Sequence, residues 1–140
     1  MKFIFLSSKF YEDYANCTEI EQKSNRPYAQ IAVELNGHLY AIPLRSHIKH
    51  PFAFFTDKEN LCGLDYSKTV IILDNDYIDR VRHPRIRDNE FKVIRNKEYQ
   101  IKFGLIRYIK QYKKAAARKD IARNARLCKY STLQYFEEYL

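Results

Sequence analysis

Glycine is scarce in this chain: three residues in 140, alongside four prolines, one methionine and no tryptophan. So little punctuation predicts regular elements joined by short connections. Cysteine is sparse too. Cys17, Cys62 and Cys128 are odd in number, far apart and without a CxxC pair, which excludes a disulfide framework or a zinc ribbon and points to a reducing compartment. There is no GxGxxG, no P-loop, no nucleophile elbow and no HExxH, so dinucleotide-binding, NTPase, hydrolase and metalloprotease readings lack support. Long apolar runs are missing as well. Phe3 to Leu6 is cut off by Ser7-Ser8-Lys9, too short for a signal-peptide core, and nothing approaches a membrane span, so a cytoplasmic protein with no membrane partner is expected.

What is present is aromatic and basic. Twelve tyrosines and nine phenylalanines within a 46% apolar composition predict an ordered single domain over residues 1–140. The formal charge of +8 is concentrated in one block. Residues 80–130 hold 17 Lys and Arg against four acids, a local net of +13, while the remaining eight cations and thirteen acids give −5. A face that served only solubility would mix the signs; a one-sided block fits a polyanion, whose condensed counterions are released on binding.

Taken in order, Lys2 to Leu6 reads as a short strand and Ser7-Ser8 as the N-cap of a brief helix over Lys9 to Tyr14. Asn16 to Asn25 is polar and aperiodic, a loop, and Arg26-Pro27 is an extended entry into a hairpin. In that hairpin AQIAVEL and HLYAIPL flank Asn36-Gly37, the pair best suited to a type I′ turn because both central residues there need positive φ. Phe52, Phe54 and Phe55 form an aromatic patch, either a strand or a clamp. Thr56 to Asn60 is a turn, and Thr69 to Leu73 a strand apolar enough to be buried on both faces. Asp74 to Asp79 is turn-like, with room for a strand contribution from Tyr77 and Ile78. After His83-Pro84 the period changes. Ile101, Leu105, Tyr108, Ile109 and Tyr112 share one helical stripe, a second helix is expected over Ala115 to Leu127, and Ser131 to Gln134 has capping-box form for a last helix. Strands first and helices after predict an α+β fold: a small antiparallel sheet with basic helices around it.

The returning strand delivers Arg45, Ser46, His47, Lys49 and His50, so two imidazoles, a hydroxyl and two fixed cations fall within six residues. His47 and His50 find no third ligand for a metal. The set suits RNA cleavage by the substrate's own 2′-hydroxyl. That reaction needs one group to take the 2′ proton, one to protonate the 5′ leaving oxygen, and cations where phosphate charge develops. Imidazole titrates near neutrality and serves in either direction. Arg45 could grip two phosphate oxygens as a fork, with Lys49 as a point charge. Each histidine alone is more often a turn residue, and it is as a group with Arg45 and Ser46 that function gains the edge; Ser46 reads equally as a hydroxyl bonding its own backbone. His38 and His83 read as turn and loop residues.

At these residues the sequence resembles the ToxN/AbiQ family of type III toxin–antitoxin endoribonucleases, nearest its CptN/TenpN branches. MKFIFLSSKFYEDY is similar to the family's first strand and SSKY-type segment, RPYAQIAVELNGHLYAIPLRS to its strand, NGH-type turn and strand ending in PL(T/R)S, and CKYSTLQYFEEYL to its terminal helix. The resemblance implies a strongly bent antiparallel sheet or barrel like that of MazF/Kid toxins, surrounded by helices. It also implies metal-independent, sequence-selective cleavage of cellular or phage RNA to a 2′,3′-cyclic phosphate and a 5′-hydroxyl, with no cofactor. The implied inhibitor is a repeated antitoxin RNA, processed into pseudoknots that alternate with toxin in a closed ring.

Carried over residue by residue, the family's strand-end Ser falls on Ser46 and its basic residue before the hairpin on Arg26. The Thr before that Ser is Arg45 here. Ile48 stands where the family has a catalytic Lys, with Lys49 beside it, and Phe10 stands in place of the SSKY tyrosine, with Tyr11 next. His47 or His50 then becomes the proton donor, and His50 is preferred if Ile48 points into the core. Lys9, Tyr28, Phe52, Arg95, Lys102, Lys110, Lys113, Lys114, Arg118, Lys119, Arg123 and Arg126 are the expected RNA-binding residues. A non-catalytic RNA-binding or ribosome-associated protein would account equally well for the charge block and the aromatics.

Overall fold

The computed structural model describes residues 1–22 and 27–140. Among them, six strands form one antiparallel sheet: β1 (Lys2–Ile4), β2 (Gln30–Leu35), β3 (His38–Arg45), β4 (Ala53–Asp57), β5 (Cys62–Asp65) and β6 (Val70–Ile72). The helices are α1 (Ser8–Asp13), α2 (Asp88–Ile94), α3 (Glu98–Ala117) and α4 (Ala122–Tyr130). The fold is α+β. Its sheet runs β1-β2-β3-β5-β4, with β6 also on β3, and is open rather than closed into a barrel. No helix among the described residues is long and apolar enough to cross a membrane.

The hairpin forms where expected. Asn36 and Gly37 take φ of 52° and 80°, and Leu35 pairs with His38 across them. Strand β3 is central because it serves three neighbours. It pairs along its length with β2, through Leu39 to Ala41 with β6, and through Leu44 and Arg45 with β5. Pro43, which has no N–H to give, sits between those last two stretches, where a missing donor costs the ladder least.

Ser7 caps α1, accepting from the Phe10 amide. Of the aromatic patch, Phe54 and Phe55 lie in strand β4 and Phe52 just before it; β4 also takes Thr56 and Asp57 from the expected turn, and β5 follows, a strand that the glycine-containing CGLD does not announce. Tyr77 lies in a 3₁₀ turn, and Ile78 makes a single bridge to Leu6. Two helical expectations change. The basic helix does not start at Ala115: α3 continues to Ala117, residues 118–121 break the run, and α4 starts at Ala122. Asn124 Nδ2 donates to the Arg118 carbonyl, satisfying the end of α3. The last segment is two 3₁₀ turns, not an α-helix. Ser131 accepts from the Leu133 amide as a cap should, but Gln134 Nε2 turns back to the carbonyls of Lys129 and Ser131 and closes α4 instead.

Helix α3 supplies the main helical wall of the core. Ile101, Leu105, Tyr108 and Tyr112 are buried against the sheet with Ile31, Ile42, Leu64, Ile71, Leu133 and Phe136. Each such side chain contributes roughly 1.5–3 kcal/mol on burial. The two tyrosines also fasten the chain end through their hydroxyls: Tyr108 donates to Ser131 Oγ at 2.7 Å, and Tyr112 to Glu137.

Candidate functional site

Strand β5 ends at Asp65, whose carboxylate is completely enclosed. An enclosed charge must be paired and hydrogen-bonded, and four groups do this. Ser67 gives its amide at 2.9 Å and its hydroxyl at 2.6 Å to Oδ1, Arg45 Nη1 donates to Oδ2 at 2.7 Å, and His50 Nε2 stands 3.2 Å from Oδ1. Burial alone would raise the pKa of Asp65, but the hydrogen bonds from His50, Ser67 and Arg45 hold it below the usual carboxylate value. For Arg45, burial works against the charge, and the bond to Asp65 outweighs it, leaving the guanidinium above its ordinary value.

His50 has both ring nitrogens engaged. The Phe52 amide donates to Nδ1 at 3.1 Å, so the neutral ring carries its proton on Nε2, facing Asp65 and the Ser67 hydroxyl 3.2 Å away. The ring lies 5.6 Å from that of Phe52, which is in turn 5.6 Å from Tyr108. These side chains floor a cleft of about 800 Å³, walled by Gln111, Lys114 and Ala115 of α3 and by Arg123, Asn124, Arg126, Leu127 and Tyr130 at α4. The end of α4 is tied beneath it by Lys68, whose ammonium donates to the Tyr130 carbonyl at 2.8 Å and to Glu19 at 3.0 Å.

No family model matches the chain, and neither does any curated protein or solved structure.

Of the residues expected from sequence, His50, Phe52, Lys114, Arg123 and Arg126 meet at this cleft. Ile48 is 2% exposed, the condition under which His50 is preferred to His47. Ser46, His47 and Lys49 are not among the side chains that line the cleft; His47 Nδ1 is 3.4 Å from Ser46 Oγ, in a residue with φ of 60°. Arg45 is not a free phosphate fork. Its two terminal nitrogens go to Asp65 and, at 3.2 Å, to Glu21, and the guanidinium lies over Tyr28. Tyr28 thus belongs to the small cavity behind Arg45 rather than to the cleft.

Lys9 is bound to Asp74 at 2.9 Å and Arg118 to Asp120 at the same distance. Lys102 lies 3.9 Å from Glu98. Arg95, Lys110, Lys113 and Lys119 lie outside the cleft lining. Arg26 lies outside the described residues. Sequence reading missed Asp65, Ser67 and Tyr108. Asp-x-Ser after an apolar strand is an Asx-turn signal that could have marked the first two; nothing local marks a tyrosine in a core stripe as part of a cleft floor.

Proposed function

We propose that the chain is an endoribonuclease toxin of the type III, ToxN/AbiQ-like class, acting in the cytoplasm on cellular or phage RNA and held in check by a pseudoknot antitoxin RNA in a closed ring. On this reading the open sheet is a relative of the bent MazF/Kid sheet. The observation that carries the proposal is the meeting of a carboxylate-oriented imidazole, His50, with the cations Lys114, Arg123 and Arg126 in one cleft over an aromatic floor. A cleft of that make-up can seat a phosphodiester on the cations and unstacked bases on Phe52 and Tyr108.

In the reaction proposed, the 2′-oxygen of the RNA forms a bond to the adjacent phosphorus as the bond to the 5′-oxygen breaks. The 2′ proton passes to one group, and a proton from another reaches the departing 5′-oxygen. His50 is one of these groups. Asp65 holds the ring through Nε2, and Nδ1 exchanges the proton once the Phe52 amide releases it. For the second group the sequence offers the exposed His47, with Ser46 beside it, which lies outside the cleft lining. Arg45 acts through Asp65, Lys49 is an exposed cation outside the cleft lining, and Arg26 is assigned to the phosphate by the resemblance.

One observation favours a non-catalytic RNA binder: both His50 nitrogens are committed within the protein. Incubating unstructured RNA with the purified chain and analysing the new ends separates the two readings. A toxin yields 2′,3′-cyclic phosphate ends and spares 2′-deoxy substrate; intact RNA that nonetheless binds supports the binder. Sequencing a small RNA that purifies with the chain tests the antitoxin partner.

A further inference from the structure

Two of the most exposed large side chains lie together on the outer face of α3, away from the core. Tyr99 is 78% exposed and Phe103 51%, and their rings face each other at 14° with centroids 6.4 Å apart. Neither is needed to fill the core, which α3 serves through Ile101, Leu105, Tyr108 and Tyr112. An exposed aromatic pair is costly to leave in water and asks for a partner.

The surroundings indicate its chemistry. Arg107, Lys110 and Lys114 come after Tyr99 at i+8, i+11 and i+15, and Phe103 at i+4, so all five fall on one stripe of the helix. The nearest acid on the helix, Glu98, is already engaged by the N-terminal amine at 3.2 Å and by Lys102. The stripe therefore runs from bare aromatic faces through a row of cations to Lys114, which walls the cleft. From Tyr99 to Lys114 is about 22 Å along the axis, on the order of six nucleotides at a stacked rise.

We propose that Tyr99 and Phe103 form a stacking platform for bases of a single-stranded RNA segment that leaves the cleft along α3. This rests on the nucleic-acid reading of the cleft. The cations track the backbone and fix its path, while the rings accept any base, because every base has a flat face. The platform therefore adds affinity for strands long enough to reach it and carries no sequence preference.

The test uses 2′-O-methyl oligouridylates, which cannot be cut, of about three and about fourteen nucleotides, with binding followed by anisotropy over a salt series. Tyr99→Ala with Phe103→Ala replaces exposed residues by a strong helix former, so the fold is retained. This variant is expected to bind the long strand roughly 10–100-fold more weakly than wild type, with the short strand unaffected and the salt slope unchanged. Lys114→Gln with Arg126→Gln should weaken both strands and flatten the slope.

Loss in the charge variant with none in the aromatic variant overturns the platform and leaves the cleft reading standing. A wild-type chain that binds neither strand overturns both. If sedimentation shows a wild-type dimer that the aromatic variant turns into monomer, the pair is an interface with a second copy and the proposal fails.

Discussion

His50 Nε2 stands 3.2 Å from Oδ1 of Asp65, a carboxylate with no solvent exposure. Because Arg45 shares that carboxylate at 2.7 Å, a residue from the end of the central strand, one from the loop after it and one from β5 are fixed by a single buried charge. Asp65 is thus both a structural anchor and the group that sets the orientation of the cleft imidazole.

Asp65→Asn should destabilise the fold by about 3 kcal/mol, since it leaves Arg45 half-buried with its main partner neutralised. The comparison is made by urea unfolding at neutral pH. An unchanged midpoint would show that Glu21 alone suffices for Arg45.

The same variant fixes a pH dependence. The folded-state value of Asp65 lies below the unfolded carboxylate value near 3.9. Its stabilisation is therefore fully present above that range and is lost as pH falls through the lower folded value. The gap between wild type and Asp65→Asn should be widest near neutrality and close below about pH 4, read from unfolding curves at successive pH values.

At the alkaline end the tyrosines should act in the opposite sense. Burial pushes Tyr11 up to about 12 and raises Tyr66, Tyr108 and Tyr112 as well. A folded value above the unfolded one near 10 gives stability that is intact below it and lost as pH climbs through the folded value. Tyrosinate absorbance should show an early exposed set, then a late set that titrates together with unfolding.

Gly104→Ala should destabilise although alanine is by about 1 kcal/mol the better helix former. A Cβ at Gly104 runs into the phenol of Tyr66, which is buried and donates to the Ile101 carbonyl at 2.9 Å. A loss of about 1–3 kcal/mol is expected. Adding Tyr66→Phe should recover part of it, so the double-mutant cycle shows coupling.

On the proposed reaction, His50→Gln should lower RNA cleavage by about 10²–10⁴-fold while leaving affinity for uncleavable RNA near wild type. His47→Gln and Ser46→Ala should reduce the rate as well if the exposed pair supplies the second proton transfer. Equal cleavage by all three variants would remove the chemistry from this strand end.

Much of this molecule is written locally. Asn36-Gly37 turns because its neighbours would clash with positive φ and these two do not. Ser7 caps α1 because its hydroxyl oxygen stands beside the first amides and accepts from Phe10, while its proton goes to the Asp76 carbonyl. The stripe on α3 and the basic block come from period and count alone. These are near-neighbour properties, and the chain decides them before it folds.

Other features could not be decided that way. Strand β5 exists because β3 and β4 pair with it, not because CGLD favours a strand. Gln134 abandons its capping-box role because the end of α4 stands within its reach. Arg45 and Asp65, twenty residues apart, meet only when β3 and β5 lie side by side, and that pairing turns an expected phosphate clamp into a support for the histidine. Sequence distributes charge and period along the chain, whereas the partner of a buried charge is chosen by which strands become neighbours, and that is a property of the whole fold.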